Sequence, residues 1–444
     1  MNNTHVAIIG GGCAGLSAAA ALAERGYSVT VLEAASQLGG RARTVAIKNK
    51  GQLQLLDNGQ HILLGAYHET LSLLQKIGVS ENQAFQRLPL QINMQATTAT
   101  SAFSIKSAHY LPAPFNMLVG LLTCKGLSLS ERMAAIRLMR YLKNTHDEII
   151  SDRPLYQFLL SQRQTTPLIE LLWEPLCLAT LNTPIENAST RIFLNVLRDA
   201  LTGAKENSDF LLPRLDLSQI ISQPLSHYIQ SKGGVIKLNQ RILHLQVEDD
   251  GFSLESRDEK SHFSHVVIAV SPASVDQLLA SLPTLKHTLG QTQKFQYQPI
   301  YTIYLQYPPE TRLPSVMSGL IGTIGQWVFD RGQLCNQKGL LAVIVSAEGE
   351  HQKLNHDELA LEIASELHRA FPQLRQPLWH QVIAEKRATF SCSPNLSRPG
   401  NKTFLPKLFL AGDYTYPDYP ATIEGAIRSG IKCADLISTY SAPH

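Results

Sequence analysis

No uninterrupted run of eighteen or more apolar residues occurs in this sequence, so no membrane-spanning helix is expected. The first apolar run, Val6–Ile9, is too short for a signal-peptide core, and the chain is read as cytoplasmic. Cysteine is sparse: the six residues, at 13, 124, 177, 335, 392 and 433, are scattered and form no CxxC pair. That argues against a zinc site or a disulfide framework, and no metal is expected. Charge is sparse too. Charged residues make up 17% of the chain, long runs of one sign are absent, and 39 basic residues against 36 acidic ones leave +3. No nucleic-acid partner is indicated, although weak attraction to an anionic membrane is compatible with this balance. Internal repeats and low-complexity tracts are also absent.

What is present describes a globular protein. Its 444 residues are 44% hydrophobic, more than one core usually holds, so about two or three domains are expected. The N-terminus reads Val6-Ala-Ile-Ile-Gly10-Gly-Gly12-Cys-Ala-Gly15, then a small-residue helix, then a second apolar run, Tyr27–Leu32, ending at Glu33. Strand, glycine turn, helix, strand and acid form the βαβ unit that binds the ADP half of a dinucleotide. Gly10 permits the turn, Gly12 lets backbone approach a pyrophosphate, and Gly15 lets the helix lie close to the sheet. With Ala14 they open a helix whose free N–H groups attract phosphate. Glu33 suits ribose hydroxyls.

Later segments extend the pattern. Residues 1–90 read as α/β. Leu225–Gln230 reads as helix, Gly233-Gly234 as its stop, and Val235–Leu238 and His265–Val270 as strands, with a hairpin over Arg241–Val247 and Phe252–Leu254 between them. Lys407–Asp413 is another strand ending in a turn, and Ala421–Ile437 a helix. Residues 1–90, 221–274 and 391–444 are therefore expected to form one discontinuous nucleotide-binding domain. Residues 91–220, mostly helical after about 110, and 275–390, mixed, would form a substrate domain.

Four further segments suggest chemistry. Gly39-Gly40-Arg41-Ala-Arg43 follows Glu33 and could bring backbone and charge to a pyrophosphate or flavin; alone it would read as a solvated loop. Asp57-Asn58-Gly59-Gln60-His61 concentrates polar side chains on a turn, either a functional site or a plain β-turn. Gly412-Asp413 lies at the carboxyl end of a strand, where ligands bind in open α/β sheets, and the helix opening near Thr422 and Ile423 would point its positive end at the same place. Leu172-Trp173-Glu174-Pro175-Leu-Cys177 through Asn182 puts a glutamate in apolar surroundings, where a raised pKa would suit a general acid; the alternative is a water-facing helix start with Trp173 and Cys177 as core. A fifth stretch, Leu111–Leu122, is apolar and broken by proline. It reads either as a monotopic membrane contact, or lipid-channel mouth, or as a buried helix.

Taken together, the chain resembles the flavin-containing amine oxidase and phytoene desaturase superfamily, through GGGCAG at 10–15, Glu33, LGGRA at 38–42, the glycine pair before Val235, and AGD at 411–413 with ATIEGA. The resemblance implies a Rossmann-like FAD-binding domain of the glutathione reductase type with a discontinuous α+β substrate domain. It implies FAD as cofactor, held also by Gly59, Gln60 and the backbone of Ile242. A narrower likeness, through LDNGQHILLGAYHETL at 56–71, WEPLCLATLNTP at 173–184 and FLNVLRDAL at 193–201, is to the hydroxysqualene dehydroxylases of bacterial squalene and hopanoid biosynthesis. That likeness implies a long isoprenoid lipid substrate contacted by Trp173, Cys177 and Asn182, with Glu174 and His61 as acids for the departing hydroxyl, and peripheral contact with the inner face of the cell membrane. The lysine that contacts flavin in many amine oxidases has no assigned counterpart; Lys386 is an unplaced possibility. A phytoene desaturase-like desaturase or isomerase is the alternative enzyme, and a prenyl-lipid carrier of the GDP-dissociation-inhibitor type the alternative outside catalysis. The electron donor is not legible in the sequence.

Overall fold

The computed structural model of the chain describes residues 4–49, 51–96, 103–144, 151–280, 282–416 and 418–441. The first apolar run is strand β1 (His5–Ile9) and the Ala-rich segment is helix α1 (Cys13–Glu24). Strand β2 (Ser28–Leu32) returns parallel to β1. Three later runs join the same sheet: β3 (Val235–Lys237), β4 (His265–Ile268) and β5 (Leu408–Leu410). All pairings are parallel and the order is 3-2-1-4-5. Val6, Ala7 and Ile8, like Val266, Val267 and Ile268, are wholly buried, as strands covered on both faces must be. In a doubly wound sheet of this order the chain reverses direction beside β1, and ligands bind beyond the carboxyl ends of the strands there.

One cover is α1, which ten small or apolar side chains allow to be buried nearly all round. The C-terminal helix Ile423–Ser441 lies across it. Gly430 sits face to face with the Ala14 carbonyl and Ser17, so any side chain there would push the two helices apart.

A second sheet of seven strands runs in the order Trp379–Phe390, Tyr297–Gln306, Leu340–Ser346, Trp327–Asp330, Met317–Ile321, Gln91–Ala96 and Phe103–Lys106. Its ladders are antiparallel except where Met317–Ile321 meets Gln91–Ala96. Helix His356–Ala370 covers one face through Leu359, Ile363 and Leu367, and it starts at Asn355, whose side chain accepts from the N–H groups of Asp357 and Glu358. The opposite face joins the helical layer of residues 115–201 in the main core. Strand Phe210–Pro213 ties that layer to the first ninety residues by pairing with Leu63–Leu64 and Phe85–Leu88.

Among the described residues, two helices open with a wider turn. Ile169–Trp173 and Ser218–Ser222 are π-helical, and each leads within two residues to a proline, Pro175 or Pro224. Proline has no N–H, and its ring collides with the carbonyl four residues back. Widening the preceding turn relieves that collision without ending the helix. The helix expected over Leu225–Gln230 therefore begins earlier, at Gln223.

Candidate functional site

The site begins at the glycine turn. Gly10 leaves β1 at φ +113°, and a Cβ there would lie 2.6 Å from the carbonyl oxygen of Ala269 on the neighbouring segment. A Cβ on Gly15 would run into the Gly10 carbonyl. A Cβ on Gly12, by contrast, would meet nothing within 4 Å, because this residue faces open space at the start of α1. No side chain caps α1, so its first N–H groups carry the exposed positive end of the helix dipole. Opposite lies the second glycine pair. The Gly39 N–H donates to the Gly11 carbonyl at 2.8 Å, and Gly40, at φ +57°, has room for a Cβ only 3.3 Å from the Gly12 Cα. The result is a groove floored by glycine backbone.

Glu33 closes one side. Its carboxylate accepts from the N–H groups of Gly11 (2.6 Å) and Ala35 (2.8 Å), and its carbonyl accepts from the Gln240 N–H at 2.8 Å. That last bond anchors the segment carrying the half-buried Ile242 beside Glu33. The Gln240 side-chain oxygen there is buried and has no hydrogen-bond partner among the described residues.

Arg41 and Asp413, 372 positions apart, meet at the other side: Arg41 Nη2 donates to Asp413 Oδ2 at 2.7 Å, and Nη1 to the Ala388 carbonyl at 2.6 Å. Asp413 is buried while Arg41 stays partly open. The Gly412 N–H is held by Ser429 Oγ on the C-terminal helix. Thr422 caps that helix, its hydroxyl accepting from the Gly425 N–H at 3.0 Å, and Ile423 is its first residue.

The Asp57–His61 turn packs against the same elements. The Asn58 N–H donates to the Arg43 carbonyl at 2.8 Å. Asp57 and Gln60 are gripped by Arg331, which nothing in the sequence singled out. Arg331 is 2% exposed, and its guanidinium donates to Gln60 Oε1 at 2.6 Å and Gln337 Oε1 at 2.5 Å and lies 3.6 Å from Asp57 Oδ2. It also sits over the ring of Tyr304, whose hydroxyl donates to the Asp57 carbonyl at 2.8 Å. Burial outweighs Arg331 and holds the Asp57 carboxyl above its ordinary pKa. An Asp-Arg pair at the end of a short apolar run usually faces water, so Arg331 carried no distinguishing signal.

His61 shares the turn with Gly59, close to where a Gly59 Cβ would point. Burial, with the Arg41 charge nearby, pushes its imidazole down to about 4. At neutral pH it is therefore uncharged. The expectation that His61 supplies a proton as imidazolium does not suit these surroundings.

The Trp173–Asn182 segment brings Trp173, Cys177 and Asn182 into the core. Trp173 is buried, and its indole N–H donates to Gln164 at 3.0 Å. Cys177 is fully buried, with Sγ against the Thr183 carbonyl. Asn182 ends its helix at φ +47°; its amide donates to Thr389 and the Pro299 carbonyl and accepts from the Ala347 N–H at 2.7 Å. Expected as substrate contacts, all three have their polar atoms committed to protein partners. Glu174 differs. It is half-buried, has no hydrogen-bond or ion-pair partner among the described residues, and is held above the ordinary carboxylate range by burial and then by Glu186 and Glu170. Lys386 is exposed on the edge strand Trp379–Phe390.

A glycine-floored groove at an uncapped helix start, an acid at the end of β2 and a second charged pair beyond β5 define a dinucleotide-binding oxidoreductase fold, and the open Gly12 face has the room that a pyrophosphate needs. The chain belongs to the family of flavin containing amine oxidoreductases, which matches residues 13–438. It is an FAD-dependent oxidoreductase, which sets the cofactor-free carrier aside. It is 30% identical to a hydroxysqualene dehydroxylase of Zymomonas mobilis, over 99% of this chain and all of the relative, and 28% identical to another from Rhodopseudomonas palustris, over 97% and 98%. A zeta-carotene desaturase of Synechocystis is 20% identical over 99% and 98%. Solved structures with the same fold include an oxidoreductase from Methanosarcina mazei (TM-score 0.76, 17% identity, 97% and 100% covered) and cyclohexylamine oxidase from Brevibacterium oxydans (0.71, 18%, 98% and 99%). Among the described residues, no helix is long and apolar enough to cross a membrane.

Proposed function

We propose that this enzyme reduces hydroxysqualene to squalene, removing an allylic hydroxyl from a long isoprenoid lipid. The observation that carries this reading is the end-to-end 30% identity to a hydroxysqualene dehydroxylase, against 20% for a carotene desaturase. In the same reading, residues 1–90, 221–274 and 391–444 form the cofactor unit and residues 91–220 and 275–390 the substrate unit, and the enzyme works peripherally at the inner face of the cell membrane.

Gly12, Ala14, Gly15 and Gly40 would hold the FAD pyrophosphate through backbone N–H groups, with Gly10 and Gly39, whose own N–H groups are bonded to the Leu32 and Gly11 carbonyls, shaping the two turns, while Glu33 and Ile242 would take the adenosine end. Arg41, Asp413, Thr422 and Ile423 hold the remainder, with the Gly59-Gln60 turn packed alongside. Reduced FAD supplies the hydride that replaces the hydroxyl. As the C–O bond breaks, the departing oxygen must take a proton to leave as water. Glu174 suits that step, because its surroundings favour the protonated form. Neutral His61 orients the hydroxyl without adding positive charge beside an allylic carbon that is itself becoming positive. The reaction requires an apolar enclosure that keeps bulk water from recapturing that carbon.

The test is anaerobic incubation of the protein with dithionite-reduced FAD and hydroxysqualene, followed by assay for squalene. Squalene formation that requires the reduced flavin supports the reading. Turnover of phytoene-like polyenes with an electron acceptor, and none of hydroxysqualene, would move the assignment to a desaturase, the reading that the carotene desaturase relatives favour.

A further inference from the structure

Five large apolar side chains within one 24-residue window, Tyr110, Phe115, Leu122, Leu129 and Met133, are 41–74% exposed. Helix Phe115–Thr123 contains no charged residue. It buries Met117, Gly120 and Leu121 against strand Phe103–Lys106, where Gly120 lets the helix approach the Lys106 carbonyl, and turns Phe115 and Leu122, seven positions apart, outward. The next helix, Leu129–Asn144, packs beside it. That helix buries Ala134, Ala135, Leu138 and Leu142, and its outward stripe runs from Leu129 and Met133 to Arg137 and Arg140. Arg132 ties the connection between the helices down, donating to the carbonyls of Leu122 (2.6 Å) and Leu127 (3.1 Å).

The outward face is thus an apolar zone edged by a basic one. Residues 103–144 carry six basic residues, Lys106, Lys125, Arg132, Arg137, Arg140 and Lys143, against one acid, Glu131. That is +5, where the whole chain carries only +3. A protein partner covering the apolar zone would not require this edge. An anionic lipid surface meets both halves, with apolar side chains entering between headgroups and cations resting among them.

We propose that the face formed by Tyr110–Met133, with its edge of Lys125, Arg137 and Arg140, seats the enzyme on an anionic lipid surface. This deepens the lipid-substrate reading above and rests on it for its purpose, since a long apolar substrate is delivered from such a surface. Binding itself does not depend on that reading.

The test is flotation of the FAD-loaded full-length protein with vesicles of phosphatidylcholine alone or with 30% phosphatidylglycerol, a choice of composition at which a few cations count. The wild type is expected to float with the anionic vesicles and to be released by salt. F115E/L129E is expected to lose binding by about tenfold or more, and R137E/R140E to lose the preference for anionic vesicles. L361E/L378E, at two exposed leucines elsewhere, is expected to float as the wild type does. A wild type that floats with neither vesicle, or an F115E/L129E variant that floats unchanged, overturns the proposal. So does a wild-type dimer that F115E/L129E converts to monomer, which would make the face a self-interface. Wild type that floats but makes no squalene would refute the proposed reaction and leave the lipid surface standing.

Discussion

Replacing Arg331 by methionine tests how the Asp57–His61 turn is held. Methionine keeps much of the volume and removes the charge. Two acceptors, Gln60 and Gln337, lose their donor, and the Asp57 carboxylate loses its ion-pair partner at 3.6 Å; Arg331 and Asp57 are respectively 2% and 3% exposed. Removing one partner of such a buried pair costs about 3–5 kcal/mol, because the other charge stays uncompensated. Unfolding entropy of about 2 cal/mol/K per residue, over 444 residues, gives roughly 0.9 kcal/mol per degree. In a single-step melt, Tm should therefore fall by roughly 3–6 °C at pH 7.5. The pH dependence has a definite sign. The Asp57 carboxyl is already raised in the fold, and the variant raises it further, so the folded state prefers the protonated form more than the unfolded chain does. The deficit against the parent is then small near pH 4, around the unfolded value, and grows as pH rises through the folded one. D57N/R331M, with no charge left to strand, should recover part of the loss. The assay is thermal melting of parent, R331M, D57N and the double variant at pH 4.5, 6 and 7.5. An R331M melt within 1 °C of the parent at pH 7.5, or a double variant no better than R331M, would refute the buried-pair account.

Other outcomes can be checked in parallel. Gly12→Val should leave the melting of the apoprotein unchanged but abolish bound flavin absorbance, because its side chain enters the open groove, whereas Gly15→Ala should fail to fold, because its methyl meets the Gly10 carbonyl; flavin retained by Gly12→Val would sink the groove assignment. His61, neutral in the fold with its pKa at about 4 against the ordinary 6.5, should cost stability as pH falls from 6.5 towards 4, where the unfolded chain takes the proton first, by about 3 kcal/mol at most. His61→Asn should flatten that part of the Tm-against-pH curve, and parallel curves would show that His61 is not the group responsible. Glu174→Gln should lower squalene formation by about 10²–10⁴-fold without changing flavin content, and parental turnover would remove Glu174 as the acid.

Much of the cofactor side was legible in the chain because its signals are local. A glycine that must take φ +113°, a helix that must start uncapped and an acid at the end of the next strand each act within a few residues, and spacing alone locates them. The strands over 235–238, 265–270 and 407–413 could be read from their apolar runs, and all three join the one parallel sheet. The helix after Pro224 was legible over Leu225–Gln230, but its earlier start and the π-turns before Pro175 and Pro224 were not, since that adjustment depends on how the helix continues past the proline. Trp173, Cys177 and Asn182 were expected as substrate contacts through the narrower family likeness. In the structure the polar atoms of each are held by protein partners: Gln164 for Trp173, the Thr183 carbonyl for Cys177, and Thr389, Pro299 and Ala347 for Asn182.

The sequence by itself determined the class of protein, since the βαβ unit and its glycines follow from backbone sterics and hydrogen-bonding needs that are satisfied within the segment. Only the tertiary structure decided which distant charges meet. Arg41 finds Asp413 across 372 positions, and Gln60 finds Arg331 across 271. Local motifs marked Arg41, Gln60 and Asp413 but not which charges they would meet, and nothing local marked Arg331. A charge becomes part of a site only when the packing of two sheets removes it from water and leaves one partner in reach.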